Sequence, residues 1–322
     1  MYYIGVDIGG TKCSVSLGKK TESGMSILDK FQFNTIPNGP DAILDRFTDE
    51  IRMILRKNNI TIGRVAGIGI SCGGPLDSKK GIILSPPNLA GWEEVHVVDY
   101  FREKFNVDTY LQNDANACAI AEWKFGVGRG YNNLVFITFG TGLGSGMILS
   151  GRLYSGTNDM AGELGHIRLT RDGPVGYEKN GSMEGYCSGG GIKRIALMML
   201  EAKDEKYADS GLYDYADTPD EINAKLIADL ADSGDRLCKE IYRISGEKLG
   251  EGLSILIDII NPEIIIIGSI FTRSNHLLWD SAEKVMQRET LARSFKVCKV
   301  TTSSLGDDVG DYAALAVAIG EF

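Results

Sequence analysis

Two stretches of the chain share one pattern, in which a glycine–threonine turn separates two short runs of strand-forming residues. The first stretch covers residues 3–17 around the turn DIGGTK, and the second covers residues 134–149 around the turn TFGTGLGSG. Short apolar runs rich in β-branched residues are typical of buried strands, so each stretch predicts a hairpin. Glycine lets the backbone turn sharply and approach a ligand, and the N–H groups of such a turn can bind an anion. Hairpins also use glycine for purely geometric reasons, but the repetition indicates a duplicated fold with two phosphate-binding turns.

The remaining hydrophobic pattern predicts strands that are joined by single helices. Apolar residues at helical spacing predict helices over residues 41–57, 115–125, 192–202, 235–260 and 310–319, and short apolar runs predict strands over residues 26–34, 65–70, 108–112 and 264–267. This alternation predicts an α/β fold that binds ligands in a central crevice at the strand ends.

Three connecting segments carry signals of their own. The sequence TPDE at residues 218–221 combines a cap, a proline and two acids, which predicts the start of a helix. The sequence PNGP at residues 37–40 predicts a turn. The acidic run 204–217 predicts a solvated loop, to which no function is assigned.

Composition and charge exclude several classes of protein. The chain has 322 residues, of which 43% are hydrophobic and 24% charged, and this suits a soluble protein with two domains and a substantial core. A net charge of −9 argues against nucleic acid as the main ligand. The six cysteines form no CxxC pair, so we expect reduced thiols in a cytoplasmic protein. Polar residues interrupt the apolar region 255–270, and the N-terminus enters a strand at once, so we expect neither a membrane span nor a signal peptide.

Polar side chains at strand ends and in loops are candidates for chemistry. Asp114 follows a predicted strand and precedes a predicted helix, so it is either the N-cap of that helix or a carboxylate that faces a ligand. The two roles are compatible, because an acid near a helix N-terminus stays ionised. Asn88 and Trp92 lie in an irregular, proline-rich segment and are suited to contact with a polar ring, and Glu163 and His166 lie three residues apart.

Several motifs in the chain occur together in a known family. Neither a GxGxxG fingerprint nor a Walker loop follows the first strand. Instead, five motifs occur in the order found in the ROK family of repressors, open reading frames and sugar kinases. They are DIGGTK, the pair Asn113–Asp114, TFGTGLGSG, GELGH at residues 162–166 and GSME at residues 181–184. The chain resembles that family over nearly its full length.

The resemblance implies a fold and a division into domains. The implied fold is the α/β, two-domain actin-like ATPase fold, which is ribonuclease H-like and has a central cleft. We expect a smaller domain of residues 1–113 plus 309–322 and a larger domain of residues 114–308.

The resemblance also implies which residues bind ligands. The family's first phosphate loop matches Asp7, Gly9, Gly10, Thr11 and Lys12, its second matches Gly140, Thr141, Gly142 and Gly144, and its adenosine turn matches Gly268 and Ser269. The expected sugar-binding residues are Gly73, Asn88, Asn113, Asp114, Glu163, His166 and Glu184. Asp114 matches the catalytic base of the family, and Asp7 is expected to hold Mg²⁺ through water.

One segment departs from the family pattern. ROK proteins usually carry three cysteines before the sugar glutamate, and these bind zinc together with the histidine of the GELGH-like motif. Here the matching positions are Val175, Tyr177 and Ser182, and Cys187 is a single thiol at the wrong spacing. A structural zinc site needs four ligands, so we expect no zinc and predict that apolar packing of Val175 and Tyr177 replaces it.

Three functions are compatible with this resemblance. The first is an ATP-dependent sugar kinase that uses Mg²⁺ and phosphorylates a hexose of the glucose type or an N-acetylhexosamine, at the 6-hydroxyl, with Asp114 as general base. The second is a repressor with an N-terminal helix-turn-helix. We expect no such domain here, because Met1 leads straight into a predicted strand. The third is a non-catalytic sugar sensor, against which the intact loops and Asp114 argue. Family members are commonly oligomers, so we expect a homodimer or homotetramer without nucleic-acid or membrane partners.

Overall fold

The computed structural model describes residues 1–22, 24–35 and 39–322, so the predicted turn at Pro37 and Asn38 lies outside the described residues. The chain forms two compact units. The first comprises residues 1–136, 146–161 and 304–322, and the second comprises residues 137–145 and 162–303. These bounds differ from the predicted domains 1–113 plus 309–322 and 114–308, because the division falls within the second glycine-rich hairpin.

The strands are short and most of their residues are buried. Their bounds are β1 Tyr2–Ile8, β2 Lys12–Thr21, β3 Gly24–Asn34, β4 Val65–Cys72, β5 Leu76–Asp77, β6 Ile82–Ile83, β7 Thr109–Asn113, β8 Leu134–Phe139, β9 Leu143–Leu149, β10 Arg152–Leu153, β11 Val175–Gly176, β12 Lys179–Asn180, β13 Ile264–Ser269 and β14 Lys299–Thr302.

The α-helices differ widely in length. Their bounds are α1 Pro40–Lys57, α2 Val97–Phe105, α3 Asp114–Lys124, α4 Met183–Tyr186, α5 Gly189–Ala202, α6 Ala224–Asp232, α7 Arg236–Ile260, α8 Ile270–Glu289, α9 Ala292–Val297 and α10 Val309–Val317. Among the described residues, none of the helices combines the length and the apolar character that crossing a lipid bilayer requires.

The first sheet has the strand order β3-β2-β1-β4-β7, in which β1 to β3 pair antiparallel and β1, β4 and β7 pair parallel. Its register aligns the last residues of the three parallel strands, because Cys72 pairs with both Ile8 and Asn113. The chain therefore leaves β1, β4 and β7 at neighbouring points along the same edge of the sheet. This arrangement positions the loops that follow β1 and β4 next to the start of α3.

The other five-stranded sheet has the order β10-β9-β8-β13-β14, and β13 pairs parallel with β14. The sheets and the helices between them confirm the predicted α/β alternation, and the predicted helices and strands are found with shifts of a few residues at their ends.

Helices approach their neighbours most closely at glycines. In the first unit, a Cβ atom added to Gly69 of β4 would lie 2.1 Å from the Ala314 carbonyl oxygen of α10, so backbone packs directly on backbone. In the second unit, a Cβ atom on Gly250 of α7 would lie 2.5 Å from the Ala282 carbonyl oxygen of α8. Larger side chains at these positions would push the elements apart.

The prediction for the TPDE segment is wrong, and the prediction for the acidic run 204–217 holds for the solvent exposure of its acids but not for its lack of regular structure. The TPDE segment forms a turn, in which the Glu221 N–H donates to the Thr218 carbonyl oxygen at 2.9 Å, and the helix begins later at Ala224. Asn223 caps that helix by accepting from the Leu226 N–H at 3.0 Å. The acidic run 204–217 contains two short 3₁₀ helices and buries Leu212.

Candidate functional site

The first glycine-rich turn joins β1 to β2 and exposes its tip. Gly10, Thr11 and Lys12 are exposed, whereas Ile8 and Cys13 on either side pair with each other and are buried. The Thr35 hydroxyl donates to the Gly9 carbonyl oxygen at 2.6 Å and holds the base of the turn. The tip therefore presents backbone and a threonine to solvent, as a phosphate-binding turn requires.

Glycine is needed in this turn because other parts of the chain come close to it. A Cβ atom on Gly9 would lie 2.5 Å from the Lys12 carbonyl oxygen, and one on Gly10 would lie 2.6 Å from the Cβ of Asn88. Asn88 itself is exposed. The first turn and a predicted sugar-binding residue are thus in direct proximity.

Trp92, which the sequence suggests as a second residue in contact with a polar ring, belongs to the core instead. Its side chain is 1% exposed and packs in the apolar cluster of the first unit, with Phe47 and Phe101. The indole therefore anchors the segment that carries Asn88, and the prediction of a binding role for Trp92 is wrong.

Asp7, Gly73 and Asp114 lie at one edge of the first sheet, at or just after the ends of β1, β4 and β7. The pKa of Asp7 is raised from 3.8 to about 7, mainly by burial and then by the negative charge of Asp114, with a smaller contribution from Asp311. A hydrogen bond from Ser71 opposes this shift of the pKa. A cation near Asp7 and Asp114 would relieve the repulsion between their charges.

Asn113, rather than Asp114, is the N-cap of α3. The Asn113 Oδ1 accepts from the N–H groups of Ala115 and Asn116 at 3.0 and 3.3 Å, and Asp114 is the first residue of the helix. The capping role considered for Asp114 is therefore taken by its neighbour. The amide nitrogen of Asn113 points toward Gly74, where an added Cβ atom would lie 3.5 Å away.

The Asp114 carboxyl is reachable from solvent although protein surrounds it. Its side chain is exposed, its Oδ1 accepts from the Ala115 N–H at 2.8 Å, and desolvation raises its pKa above the usual value. The next N–H groups of the helix are directed to Asn113. Asp114 thus has an accessible carboxyl oxygen and a raised proton affinity, which are the properties of a general base.

An ion pair that the sequence does not reveal lies behind Asp7. Asp311 of α10 is buried, forms an ion pair with Lys30 of β3, and accepts from the Ser14 hydroxyl at 3.2 Å. Both Lys30 and Asp311 affect the pKa of Asp7, in opposite directions. No local signal marks these residues, because they are separated by 281 positions in the chain.

The second glycine-rich turn joins β8 to β9 and packs against the start of α5. The Gly140 N–H donates to the Gly142 carbonyl oxygen at 3.0 Å, which closes the turn. The Gly189 and Gly190 N–H groups donate to the carbonyl oxygens of Gly140 and Thr141 at 2.7 and 3.3 Å. Thr141 at the tip is exposed.

The predicted sugar-binding residues of the second unit meet beside this turn. The Glu184 Oε2 accepts from the Leu143 N–H at 3.0 Å, and a Cβ atom added to Gly142 would lie 2.7 Å from the same oxygen. A Cβ atom on Gly165 would lie 3.3 Å from the Glu184 Cβ, so the turn that carries Glu163 and His166 packs against Glu184. Gly144 belongs to the predicted second phosphate loop and lies in β9, two residues beyond Gly142.

The three positions where the family pattern has cysteines hold side chains with other roles. Val175 is 40% exposed and Tyr177 is 63% exposed, so the predicted apolar packing of these two residues is wrong. Ser182 is buried and accepts from the Gly185 N–H at 3.1 Å as the cap of α4. The donor set around His166 therefore does not fit the four nitrogen and sulfur ligands of a structural zinc site.

A cavity of about 780 Å³ lies within the second unit. Gly140 and Thr141 line it, together with Ser269 from the predicted adenosine turn. Ser269 is the last residue of β13 and has a φ of 59°, and α8 follows it without a loop, so Gly268 and Ser269 form a strand end rather than a separate turn.

The rest of the cavity comes from residues that the sequence did not indicate. Its apolar part includes Ile222, Ala224 and Ala228 around α6, and Lys193 and Arg273 supply positive charge. The sequence predicted a helix start at TPDE, whereas α6 begins at Ala224. The contribution of α6 to the cavity was therefore not predicted. The apolar wall suits a nucleotide base, and the two cations share the cavity with Asp220, Asp229 and Asp232.

Comparisons with known proteins find relatives over nearly the whole chain. A model of the ROK family matches residues 3–321. A glucokinase from Thermotoga maritima is 31% identical over 317 residues, which are 98% of this chain and 96% of that protein. A xylose repressor from Caldicellulosiruptor bescii is 28% identical over 319 residues, which are 99% of this chain and 78% of the repressor.

A solved structure has the same architecture. The ROK family glucokinase from Streptomyces griseus, in complex with glucose and AMPPNP, matches with a TM-score of 0.79 and 30% identity, over 99% of this chain and 100% of that one. These similarities confirm the predicted two-domain actin-like ATPase fold.

Proposed function

The chain belongs to the ROK family, and on that premise we propose that it is an ATP-dependent sugar kinase. The proposed acceptor is a hexose of the glucose type or an N-acetylhexosamine, phosphorylated at the 6-hydroxyl. Glucokinases among the relatives, and the bound glucose and AMPPNP in the Streptomyces griseus structure, support this choice.

The observation that carries the proposal is the placement of Asp114. Asn113 caps α3, and this leaves an accessible carboxyl with a raised pKa at the sheet edge beside Asp7. Asp114 shares only the Ala115 N–H with Asn113, which also accepts from the Asn116 N–H, so the helix already has its cap without Asp114. We propose that Asp114 accepts the proton of the sugar hydroxyl as the phosphoryl group is transferred.

The two glycine-rich turns have the properties needed to bind phosphate. Each exposes a threonine at its tip, Thr11 in the first turn and Thr141 in the second, and phosphoryl transfer depends mainly on positioning and on stabilisation of charge. In this proposal the first turn, with Gly9, Gly10 and Lys12, and the second, with Gly140, Gly142 and Gly144, bind the phosphates of ATP. The nucleoside lies in the cavity lined by Ser269.

The carboxylates near Asp7 fit a hard divalent cation. Burial and then the negative charge of Asp114 raise the pKa of Asp7, and Mg²⁺ prefers carboxylate oxygens as ligands. We propose that Asp7 holds Mg²⁺ through water, where the ion would neutralise charge on the phosphates.

Sugar recognition is assigned to side chains in both units. In the first unit these are Asn88, Asn113 and Asp114, with the backbone at Gly73. In the second unit they are Glu163, His166 and Glu184, of which Glu184 accepts from the Leu143 N–H at the end of the second turn. Carboxylate, amide and imidazole groups supply the donors and acceptors that a polyhydroxylated ring demands.

An ADP-release assay against a panel of hexoses and N-acetylhexosamines tests the proposal. We expect sugar-dependent ADP release with at least one member of the panel. Calorimetric binding of a sugar without ADP release in the presence of Mg²⁺ and ATP would contradict the kinase and favour a non-catalytic sugar sensor. This second reading has some support, because the relatives include repressors.

A further inference from the structure

A small hairpin in the second unit contacts His166 from two directions. It consists of β11, a two-residue turn and β12, and Tyr177 lies in the turn. The rings of His166 and Tyr177 are 5.0 Å apart between centroids and meet edge to face, at 79°. The Lys179 Nζ donates to the His166 carbonyl oxygen at 2.7 Å. The hairpin therefore fixes both the imidazole and the backbone of this residue.

The hairpin itself is held by hydrogen bonds that need no metal. The Gly181 N–H donates to the Pro174 carbonyl oxygen at 3.0 Å and thereby closes the base of the hairpin. The Ser182 hydroxyl donates to the Gly176 carbonyl oxygen at 3.2 Å, and Gly176 is pressed so closely to α4 that an added Cβ atom would lie 2.4 Å from the Gly185 nitrogen. The base of the hairpin is thus fixed by these contacts, and Tyr177 at its tip contacts His166.

The conformation of Tyr177 is unusual for a residue of its type. Its φ is 43° and that of Glu178 is 62°, in the left-handed region that glycine and asparagine normally occupy in such turns. Its side chain is 63% exposed, so burial of the ring does not explain the choice of tyrosine. The contact with His166 is the interaction that distinguishes an aromatic residue at this position.

We propose that the hairpin of residues 175–180 is a metal-free clamp on His166, and that Tyr177 and Lys179 are positioning residues for sugar recognition. The proposal rests on the proposed sugar kinase function, in which His166 binds a sugar hydroxyl. An edge-to-face contact restricts the rotation of the imidazole, and the lysine fixes the short 3₁₀ turn that carries it. A hydroxyl group that approaches His166 then meets a ring already in its binding orientation, which reduces the entropy lost on binding.

A double-mutant cycle with steady-state kinetics tests whether Tyr177 acts through His166. For Tyr177→Ala we expect the KM for the sugar to rise roughly threefold to tenfold, as loss of an aromatic contact predicts, with the KM for ATP unchanged. Tyr177→Phe keeps the ring and should retain the parental KM. In a His166→Ala background the same Tyr177→Ala change should have no further effect. Additive effects in the two backgrounds would overturn the proposal, because they would mean that Tyr177 contacts the sugar directly.

A spectroscopic measurement on the same variants does not depend on turnover. The chain contains three histidines, so the imidazole signals of His166 can be identified in an NMR spectrum by their loss in His166→Ala. We expect Tyr177→Ala and Lys179→Met to shift and broaden these signals, and Tyr177→Phe to leave them near the parental position. Unchanged signals in both Tyr177→Ala and Lys179→Met would overturn the clamp.

Tyr154→Ala is the matched control, because it removes an exposed tyrosine outside the hairpin and leaves Tyr177 in place. We expect parental kinetics and a parental melting temperature for this variant. A parent protein with no sugar-dependent ADP release would contradict the proposed kinase, whereas the NMR comparison still tests the clamp. An active parent whose sugar KM is the same in Tyr177→Ala would contradict the clamp alone.

Discussion

Asn113 and Asp114 are adjacent in the sequence and have different roles in the structure. The asparagine accepts two helix N–H groups, and the aspartate is left with an accessible carboxyl at the edge of the first sheet. Asparagine and aspartate cap helices about equally well. Replacing Asp114 by asparagine therefore removes the carboxylate and leaves the ability to cap a helix unchanged.

The first prediction concerns the variant Asp114→Asn. It keeps the size of the side chain and much of its hydrogen bonding but removes the proton acceptor. We expect kcat to fall about a hundredfold to ten-thousandfold, as for other general bases, with a much smaller change in sugar affinity. Steady-state kinetics and calorimetric sugar binding measure the two effects. Turnover within a few-fold of the parent would show that Asp114 is not the base.

A second prediction follows from the raised pKa of Asp7. In the unfolded chain this carboxyl ionises near pH 3.8, and in the folded protein only near pH 7. Between these values the unfolded state binds fewer protons, so the contribution of Asp7 to stability is complete at low pH and is lost as the pH rises through about 7. Each pKa unit corresponds to roughly 1.4 kcal/mol, which gives an upper limit of about 4 kcal/mol.

Urea unfolding in a buffer that contains a chelator measures this effect. We expect the free energy of unfolding of the parent to decrease from pH 4 toward pH 7 more steeply than that of Asp7→Asn, in which the titrating group is absent. Glu103→Gln removes the same charge from an exposed site on α2 and should keep the parental slope. Equal slopes for all three proteins would contradict the shifted pKa.

The sequence predicts the roles of some residues better than the roles of others. Asp7, Asp114 and Glu184 lie within recognisable motifs, and their roles could be proposed before the structure. Trp92 could not be assigned correctly, because a tryptophan suits a core as well as a site, and only burial separates the two. Lys30 and Asp311 could not be paired at all, since their contact depends on tertiary structure.

At the scale of elements, the two glycine-rich turns are more closely connected to sugar recognition than their sequence suggests. A Cβ atom on Gly10 would press on Asn88, and one on Gly142 would press on the Glu184 carboxylate. Each predicted phosphate loop therefore packs directly on a predicted sugar ligand. A turn that is displaced by a bulky residue will move that ligand as well.

A third prediction uses two glycines of the second turn. Gly142→Ala places a methyl group 2.7 Å from the Glu184 Oε2, so we expect the KM for the sugar to rise together with the KM for ATP. Gly140→Ala meets nothing closer than 3.6 Å and should leave the KM for the sugar near the parental value. Kinetics with each substrate varied in turn measure both constants. A parental sugar KM in Gly142→Ala would show that Glu184 does not bind the sugar.

Regular elements were predictable where one physical signal dominates. The uninterrupted apolar run of β13 and the helical spacing in α7 both gave elements of the correct type. The TPDE segment has every local feature of a helix start, yet it forms a turn because Asn223 supplies a cap a few residues later. Competing caps cannot be ranked from a single sequence, since the choice depends on which face of the helix is buried.

At the scale of the whole molecule, the donor set around His166 gives a fourth prediction. Val175, Tyr177 and Ser182 stand where thiolates would be needed, so we expect the purified protein to contain no stoichiometric zinc. We also expect a chelator to leave its melting temperature unchanged. Elemental analysis with calorimetry checks both statements. About one zinc per chain, the stoichiometry of a four-ligand site, would contradict the prediction.

The α/β class was predictable from the alternation of strands and helices, because that alternation follows from local hydrophobic spacing. The bounds of the compact units follow less directly from the sequence, since two of the four boundaries cut β8 and β9 rather than a linker. A linker has a distinctive composition, whereas a boundary inside a strand leaves no such trace.

The close contact between Gly69 and α10 has a consequence for synthesis on the ribosome. The first unit includes residues 1–136, yet β4 packs on the backbone of a helix made of residues 309–317, which are translated after all of the second unit. The second unit includes nothing beyond residue 303. Its last strand therefore emerges before the first unit can be finished. We infer that the first unit, although its synthesis starts first, folds completely only after the second unit has been made. Until then the nascent chain exposes an apolar face of the first sheet, to which chaperones would bind.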